Sequence, residues 1–141
     1  MQNLTIKSMM SINRLILRLS HGRIGSQLGT QTVLILHTRG RRSGQDRAIP
    51  IAYFDVDGTV VIVGSNWGKD SQPDWYLNLK KDPHANLEVK GRTVETVARE
   101  AEGDEYQRLW DFTSGRNPPY LGYQKMTSRH IPIMIFEPAQ R

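Results

Sequence analysis

His37-Thr38-Arg39-Gly40-Arg41-Arg42-Ser43-Gly44-Gln45-Asp46-Arg47 joins two extended runs, Val33-Leu34-Ile35-Leu36 before it and Ala48-Ile49-Pro50-Ile51-Ala52-Tyr53-Phe54 after it. A short connection between two strands therefore carries four arginines, two glycines and a serine. Glycine lets the backbone turn its N–H groups toward one point, and arginine supplies a forked, permanently charged donor. Such a loop is shaped to hold phosphate or carboxylate oxygens. Composition alone leaves a second reading open, a solvated basic hairpin tip.

Outward from this loop the chain reads as short strands joined by hairpins. Thr32 to Thr38 forms a buried strand and Arg47 to Phe54 the next. Asp57-Gly58 signals a two-residue turn, with Thr59 to Gly64 as the returning strand. Leu87-Glu88-Val89 alternates, Gly91 turns the chain, Thr93 to Ala98 returns, and Ile131 to Phe136 is a final strand. Pro73 to Leu79, Gly103 to Phe112 and a short stretch after Pro118-Pro119 read as helices, the first closed by Asp82-Pro83. Strands in hairpins with helices outside them argue a mostly β (α+β) fold, an antiparallel barrel of about six strands with flanking helices. No repeat or composition shift divides the chain, so one domain is expected over residues 1–141. Pro50 and Pro132, inside strand runs, mark edge or bulge positions where a ligand can reach the backbone.

Residues 1–25 read as an amphipathic N-terminal helix and connection. Met9, Ile12, Leu15, Ile16 and Leu19 fall at helical spacing, with Lys7, Arg14 and Arg18 among the polar positions. The helix admits two placements, packed on the barrel or lying on an anionic membrane face, and packing is the expectation. The location expected is cytoplasmic, peripheral to the inner membrane face in the second placement. The N-terminus carries no small-residue cleavage site after its apolar stretch, and no run is apolar enough to span a bilayer.

With 38% hydrophobic and 23% charged residues among 141, the chain has the composition of an ordinary soluble domain. Its net charge of +5 points to an anionic partner. Zero cysteines excludes a disulfide framework, a thiolate metal site and a cysteine nucleophile. His21, His37, His84 and His130 form no ligand pair at helical or hairpin spacing, so no metal is expected. Gly40 to Gly44 is too short for a nucleotide-hydrolase phosphate loop, and Gly64-Ser65-Asn66-Trp67-Gly68 sets its serine one place too early for a nucleophile elbow. Asp55 and Asp57 flank a turn and read as turn formers. Without a nucleophile–base pair or a metal set, enzymatic chemistry here requires an organic cofactor. Trp75 and Asn78 share a face of one short helix, and Tyr120 and Tyr123 share a face of another. Each pair reads either as core and satisfied hydroxyls or as a pocket wall.

Four blocks of the chain together resemble the deazaflavin-dependent nitroreductase family, in the family's order. They are His37 to Arg47; Gly64-Ser65-Asn66-Trp67-Gly68; Pro73-Asp74-Trp75-Tyr76-Leu77-Asn78-Leu79-Lys80-Lys81-Asp82-Pro83; and Tyr123-Gln124-Lys125-Met126-Thr127-Ser128-Arg129-His130-Ile131-Pro132. The resemblance covers nearly the whole chain and implies a split β-barrel that binds coenzyme F-420, an 8-hydroxy-5-deazaflavin with a phosphodiester and a glutamate tail. It implies that Arg39, Gly40, Arg41, Arg42, Ser43, Gly44 and Arg47 hold the phosphate and tail. Ile49 and Pro50 would lie along the ring system, the Ser65-Asn66-Trp67-Gly68 backbone would meet its polar edge, and Trp75, Tyr76 and Asn78 would close the pocket. Tyr53, Tyr120 and Tyr123 would face the substrate, with Tyr123 and Tyr120 as the candidate catalytic hydroxyls. The implied reaction is hydride transfer to a small electron-poor acceptor such as a quinone, an enone or a nitroaromatic. Trp67 departs from the small residue that family members often carry there, and its ring would narrow the substrate space.

Three other readings share these residues. A flavin mononucleotide-binding split-barrel oxidoreductase would seat its phosphate on the same loop. A non-catalytic cofactor carrier would use the same pocket. A basic nucleic-acid-binding module would stack bases on Trp67, Trp75 and the tyrosines. Against the last, and for no nucleic acid as partner, the charge sits in one tight loop rather than along a track.

Overall fold

The structure is a computed structural model, and it describes residues 27, 28 and 31–139. The N-terminal amphipathic helix expected from the sequence lies outside the described residues. The described residues form seven strands, all paired antiparallel, and three α-helices: β1 (Gln27–Leu28), β2 (Gln31–Arg39), β3 (Asp46–Val56), β4 (Thr59–Val63), α1 (Asp74–Lys81), β5 (His84–Val89), β6 (Arg92–Glu100), α2 (Gly103–Arg116), α3 (Pro119–Met126) and β7 (Ile133–Pro138).

The sheet runs β1-β2-β3-β4-β7-β6-β5, and β5 pairs back onto β2 through Leu36↔Leu87. Six strands therefore close into a barrel, with β1 added outside on β2. The two-residue turns of the β3–β4 and β5–β6 hairpins each use a non-glycine followed by glycine at positive φ, Asp57 (53°) with Gly58 (85°) and Lys90 (50°) with Gly91 (80°). That is the mirror-image turn whose twist matches two antiparallel strands.

Period-two alternation decides which side chains fill the barrel. Leu34, Leu36, Tyr53, Ile62, Leu87, Met134 and Phe136 point inward and form one cluster with Trp75 and Leu79 of α1. Helix α1 thus packs onto the barrel core through Trp75 and Leu79, with Tyr76 beside them. The opposite faces of β4 and β7 carry Val61, Val63, Ile133 and Ile135, which pack with Leu109 and Trp110 of α2 and Tyr120 of α3. Strands buried on both faces explain why these runs read as continuous apolar stretches.

The barrel is split where the site lies. β3 pairs with β2 along nearly its whole length but with β4 only at Phe54, Asp55 and Val56. From Asp46 to Tyr53 the other edge of β3 has no strand beside it among the described residues. Pro50 sits in this stretch, opposite Ile35 on β2, where a missing N–H breaks no ladder on the open side. Pro132, expected within the last strand, instead precedes β7, and its carbonyl accepts the Gly64 N–H at 2.8 Å.

Candidate functional site

The open edge of β3 is one wall of a cleft of about 1460 Å³. Ile49, Pro50, Ile51 and Ala52 line that wall, with Val33 and Val63 beside them. At one end stand Gly40, Arg41, Arg42, Ser43 and Arg47 of the β2–β3 loop; toward the other stand Trp67, Tyr120 and Tyr123. Trp75 and Asn78 of α1 reach the cleft as well, although both are buried.

The basic end is held by hydrogen bonds between segments far apart in sequence. The loop closes on itself through Gly40 N–H to the Gln45 carbonyl (2.7 Å) and Gly44 N–H to the Gly40 carbonyl (2.8 Å). Ser43 Oγ accepts from the Gln45 N–H at 3.1 Å and from Arg47 Nη2 at 3.2 Å. Asn78 Oδ1 accepts from the Arg41 backbone N–H (3.1 Å) and from Arg41 Nη1 (3.0 Å), while its Nδ2 donates to Thr38 Oγ1 at 3.1 Å. Lys81 Nζ adds a bond to the Arg41 carbonyl at 2.8 Å. Helix α1 therefore grips the loop as well as closing the barrel core. Arg42 and Arg47 are exposed toward the cleft, where their charges face open space.

The aromatic end is built by α3 and the turn after β4. Residues Asn66–Gly68 form a short 3-10 turn with Asn66 at φ 46° and Trp67 at φ 59°, left-handed values uncommon for residues with a side chain. Trp67 is 71% exposed and meets the Tyr123 ring edge-on at 6.3 Å. Tyr120 is buried, stacked on Trp110 at 6.4 Å and edge-on to Phe54 at 6.0 Å.

Arg129 stitches this end together from behind. Its Nε donates to the Lys69 carbonyl (2.7 Å), Nη2 to the Ser65 carbonyl (2.7 Å), and Nη1 to Gln72 Oε1 (2.9 Å), the Gly64 carbonyl (3.2 Å) and the His130 carbonyl (3.3 Å). Burial pushes its guanidinium below the ordinary value, and Asp70 nearby pulls the other way. Thr127 Oγ1 to Asp70 Oδ1 at 2.7 Å ties the same two segments.

Most sequence-expected site residues thus line one cleft, and five do not. Tyr53 points into the barrel core, because its parity on β3 is that of the inward residues Ile49 and Ile51. Burial and Asp55 push its phenol up. Tyr76 turns away from the cleft and donates its hydroxyl to Glu100 Oε1 at 2.8 Å. Arg39 pairs with Asp82 (3.4 Å) and reaches the Gly44 carbonyl (3.2 Å), bracing the loop from outside. Gly44, at φ 74°, supplies the turn rather than a contact surface. Gly68 also stays behind the wall, packed against α3. Lys69 and Thr38 line the cleft without having been singled out in the sequence; Lys69, two residues past Trp67, adds a cation beyond the arginine loop.

The residues present suit a ligand that is compact and anionic at one end and flat at the other: arginines at the first, an apolar strand edge between, and aromatic rings at the second. Among the described residues no group of three or more histidines, aspartates or glutamates could hold a metal ion. No helix among them is long and apolar enough to cross a membrane.

The family model described as F420H(2)-dependent quinone reductase matches residues 9–138. The F420H(2)-dependent quinone reductase of Mycobacterium tuberculosis strain H37Rv is 33% identical over 124 residues, which cover 85% of this chain and 83% of that protein. A solved F420-H2 dependent reductase (FDR-A) superposes with a TM-score of 0.68 at 32% identity, covering 74% of this chain and 93% of that one. A structure described as a domain-swapped dimer gives a TM-score of 0.71 at 28% identity over 96% of this chain and all (100%) of its own.

Proposed function

The chain belongs to the F420H(2)-dependent quinone reductase family, and on that premise we propose that it reduces a quinone-type acceptor in the split of its barrel, using coenzyme F-420. One observation carries the reading: a single cleft joins a cluster of arginines to an aromatic end along an unpaired strand edge. In this reading the coenzyme's phosphodiester and glutamates would meet Arg41, Arg42, Arg47 and Ser43, and its ring would lie along the wall of Ile49, Pro50 and Ala52, residues that all line the cleft. Held there, the coenzyme would supply a hydride, two electrons at once, to an electron-poor acceptor.

The chain's own residues bind, orient and shield. Charge-assisted hydrogen bonds from arginine to a phosphate or carboxylate are each worth about 1.5–3 kcal/mol, so two or three fix one end of the ligand firmly. Val33, Pro50, Ala52 and Val63 keep water from the stacking space, and fixed stacking replaces a chance encounter. As a hydride arrives, negative charge grows on the acceptor's oxygen. A phenol is a donor at neutral pH, and Tyr123 lines the same end of the cleft, with Tyr120 beside it at 6.4 Å between ring centres. Quinones are the first acceptors to expect; enones and nitroaromatics are the same electron-poor class.

The test is a fluorescence titration with coenzyme F-420 and, separately, with flavin mononucleotide, followed by oxidation of the reduced coenzyme on adding a soluble quinone. Tight binding of F-420 with quinone-dependent oxidation is the expected result. Preference for flavin mononucleotide would point to the other split-barrel chemistry, and binding without oxidation to a carrier.

A further inference from the structure

Arg129 does not line the cleft, yet it holds the turn that does. Three of the five hydrogen bonds of its guanidinium go to carbonyls of that turn, those of Gly64, Ser65 and Lys69. The described peptide bonds are all trans, so each carbonyl points opposite to the next residue's N–H. Pinning the Gly64 and Ser65 carbonyls behind the turn therefore sends the Ser65 and Asn66 N–H groups to its other side, and both residues line the cleft. The same pins hold two consecutive side-chain-bearing residues at positive φ, Asn66 and Trp67, a conformation that persists only where the surroundings impose it. A guanidinium suits this task because its planar fork reaches several acceptors at once; a lysine ammonium has no such geometry.

We infer that Arg129 is a positioning residue: it sets the direction of the Ser65 and Asn66 N–H groups and the place of the Trp67 ring, and thereby orients the flat end of the ligand in the cleft. The inference rests on the coenzyme reading proposed above. Arg129 touches neither coenzyme nor acceptor in this arrangement and acts only through the turn. The anionic end is held separately, by a loop whose hydrogen bonds do not involve Arg129.

The experiment compares full-length wild type, Arg129→Lys, Arg129→Met and Arg47→Ala, all below their measured melting temperatures. Two probes are titrated: coenzyme F-420, and its deazaflavin chromophore without phosphate or glutamates. Arg129→Met should weaken both probes by a similar factor, about tenfold, and shrink the absorption shift of the bound chromophore, which reports its hydrogen-bond donors. Arg129→Lys should recover part of each effect. Arg47→Ala should weaken only the coenzyme. A purely structural role would lower the melting temperature while leaving affinity and absorption shift at wild-type values, and that result overturns the inference. If Arg129→Met does not fold, Arg129→Lys decides alone by the same readings. Wild type binding neither probe would overturn the coenzyme reading and this inference with it; wild type binding both, with Arg129 variants equal to it, overturns the inference only.

Discussion

Asn78 and Tyr123 make opposite demands on single atoms. The Asn78 amide uses its oxygen for Arg41 and its nitrogen for Thr38, so Asn78→Ala should loosen the arginine, leaving it Asp74 at 3.3 Å, without removing a charge. Coenzyme affinity should fall about tenfold, comparable to Arg47→Ala, as a fluorescence titration would show. An affinity equal to wild type in both variants would remove the loop from the site. Tyr123 is tested by taking away only its hydroxyl. Tyr123→Phe keeps the ring against Trp67 and should lower quinone reduction by up to about 10²–10³ with coenzyme affinity unchanged. Tyr120→Phe should do less, chiefly altering acceptor affinity, because that ring is already packed between Trp110 and Phe54. Wild-type single-turnover rates in both would leave the tyrosines as walls only. At this scale the sequence was readable in kind but not in partner. The arginine-glycine loop declared its chemistry, whereas the pairing of Arg41 with an amide 37 positions away required the fold. Tyr53 and Tyr76 illustrate the limit: an aromatic beside a site block can face either way, and strand parity or one carboxylate decides.

Elements were more legible than their ends. The Asp57-Gly58 turn announced its hairpin, and the glycine at Gly91 marked the other. Helix α2 runs past Phe112 to Arg116, and its last turns bury Thr113 and Ser114 against the body of the protein, a tertiary effect that propensity does not carry. The turn between β4 and α1 offers a test of its packing. A Cβ on Gly64 would meet Pro132 Cγ at 2.8 Å, so Gly64→Ala should cost about 1–3 kcal/mol in denaturant unfolding. Gly68, at φ 77° with Met126 Sδ 3.0 Å from a built Cβ, should be no more tolerant. Stability equal to wild type in both would mean that the turn yields easily. Helix α1 offers a test in pH. Burial and then the Glu100 hydrogen bond push the Tyr76 phenol up from 10.0 to about 12. The fold thus favours the protonated phenol: its stabilisation is complete below pH 10.0 and is lost as pH rises from there toward about 12. Tyr76→Phe should therefore melt below wild type at neutral pH, with the gap closing across that alkaline window. Tyr106, also raised to about 12, titrates in both proteins and cancels from the difference. A gap independent of pH would mean that the lost hydroxyl matters only through packing.

At the scale of the molecule, about six antiparallel strands and outer helices followed from hairpin signals and alternation, while the closure of β5 onto β2 did not. That pairing joins Ile35 to Glu88, and no local pattern announces a partner so distant. The split followed in part, since Pro50 marked an unpaired edge, but its use as a wall of the cleft emerges only once β4 departs from β3 after three register pairs. Binding should stabilise this assembly as a whole, because the cleft draws on the β2–β3 loop, α1 and α3 together: coenzyme at 100 times its dissociation constant should add about 2.7 kcal/mol to unfolding. A melting temperature unmoved by saturating coenzyme would contradict a site built across those elements. The ring closure has one more consequence, in time rather than space. A chain made from its N-terminus completes the β2–β3 hairpin and its arginine loop early, from contacts close in sequence, which are the fastest to form. The barrel cannot shut until β5 arrives, and the aromatic end waits for α3 and the segment before β7. On the ribosome, the strands that carry the arginine loop are therefore paired before the place for the ring exists, and the loop gains its grip only when Asn78 and Lys81 of α1 follow.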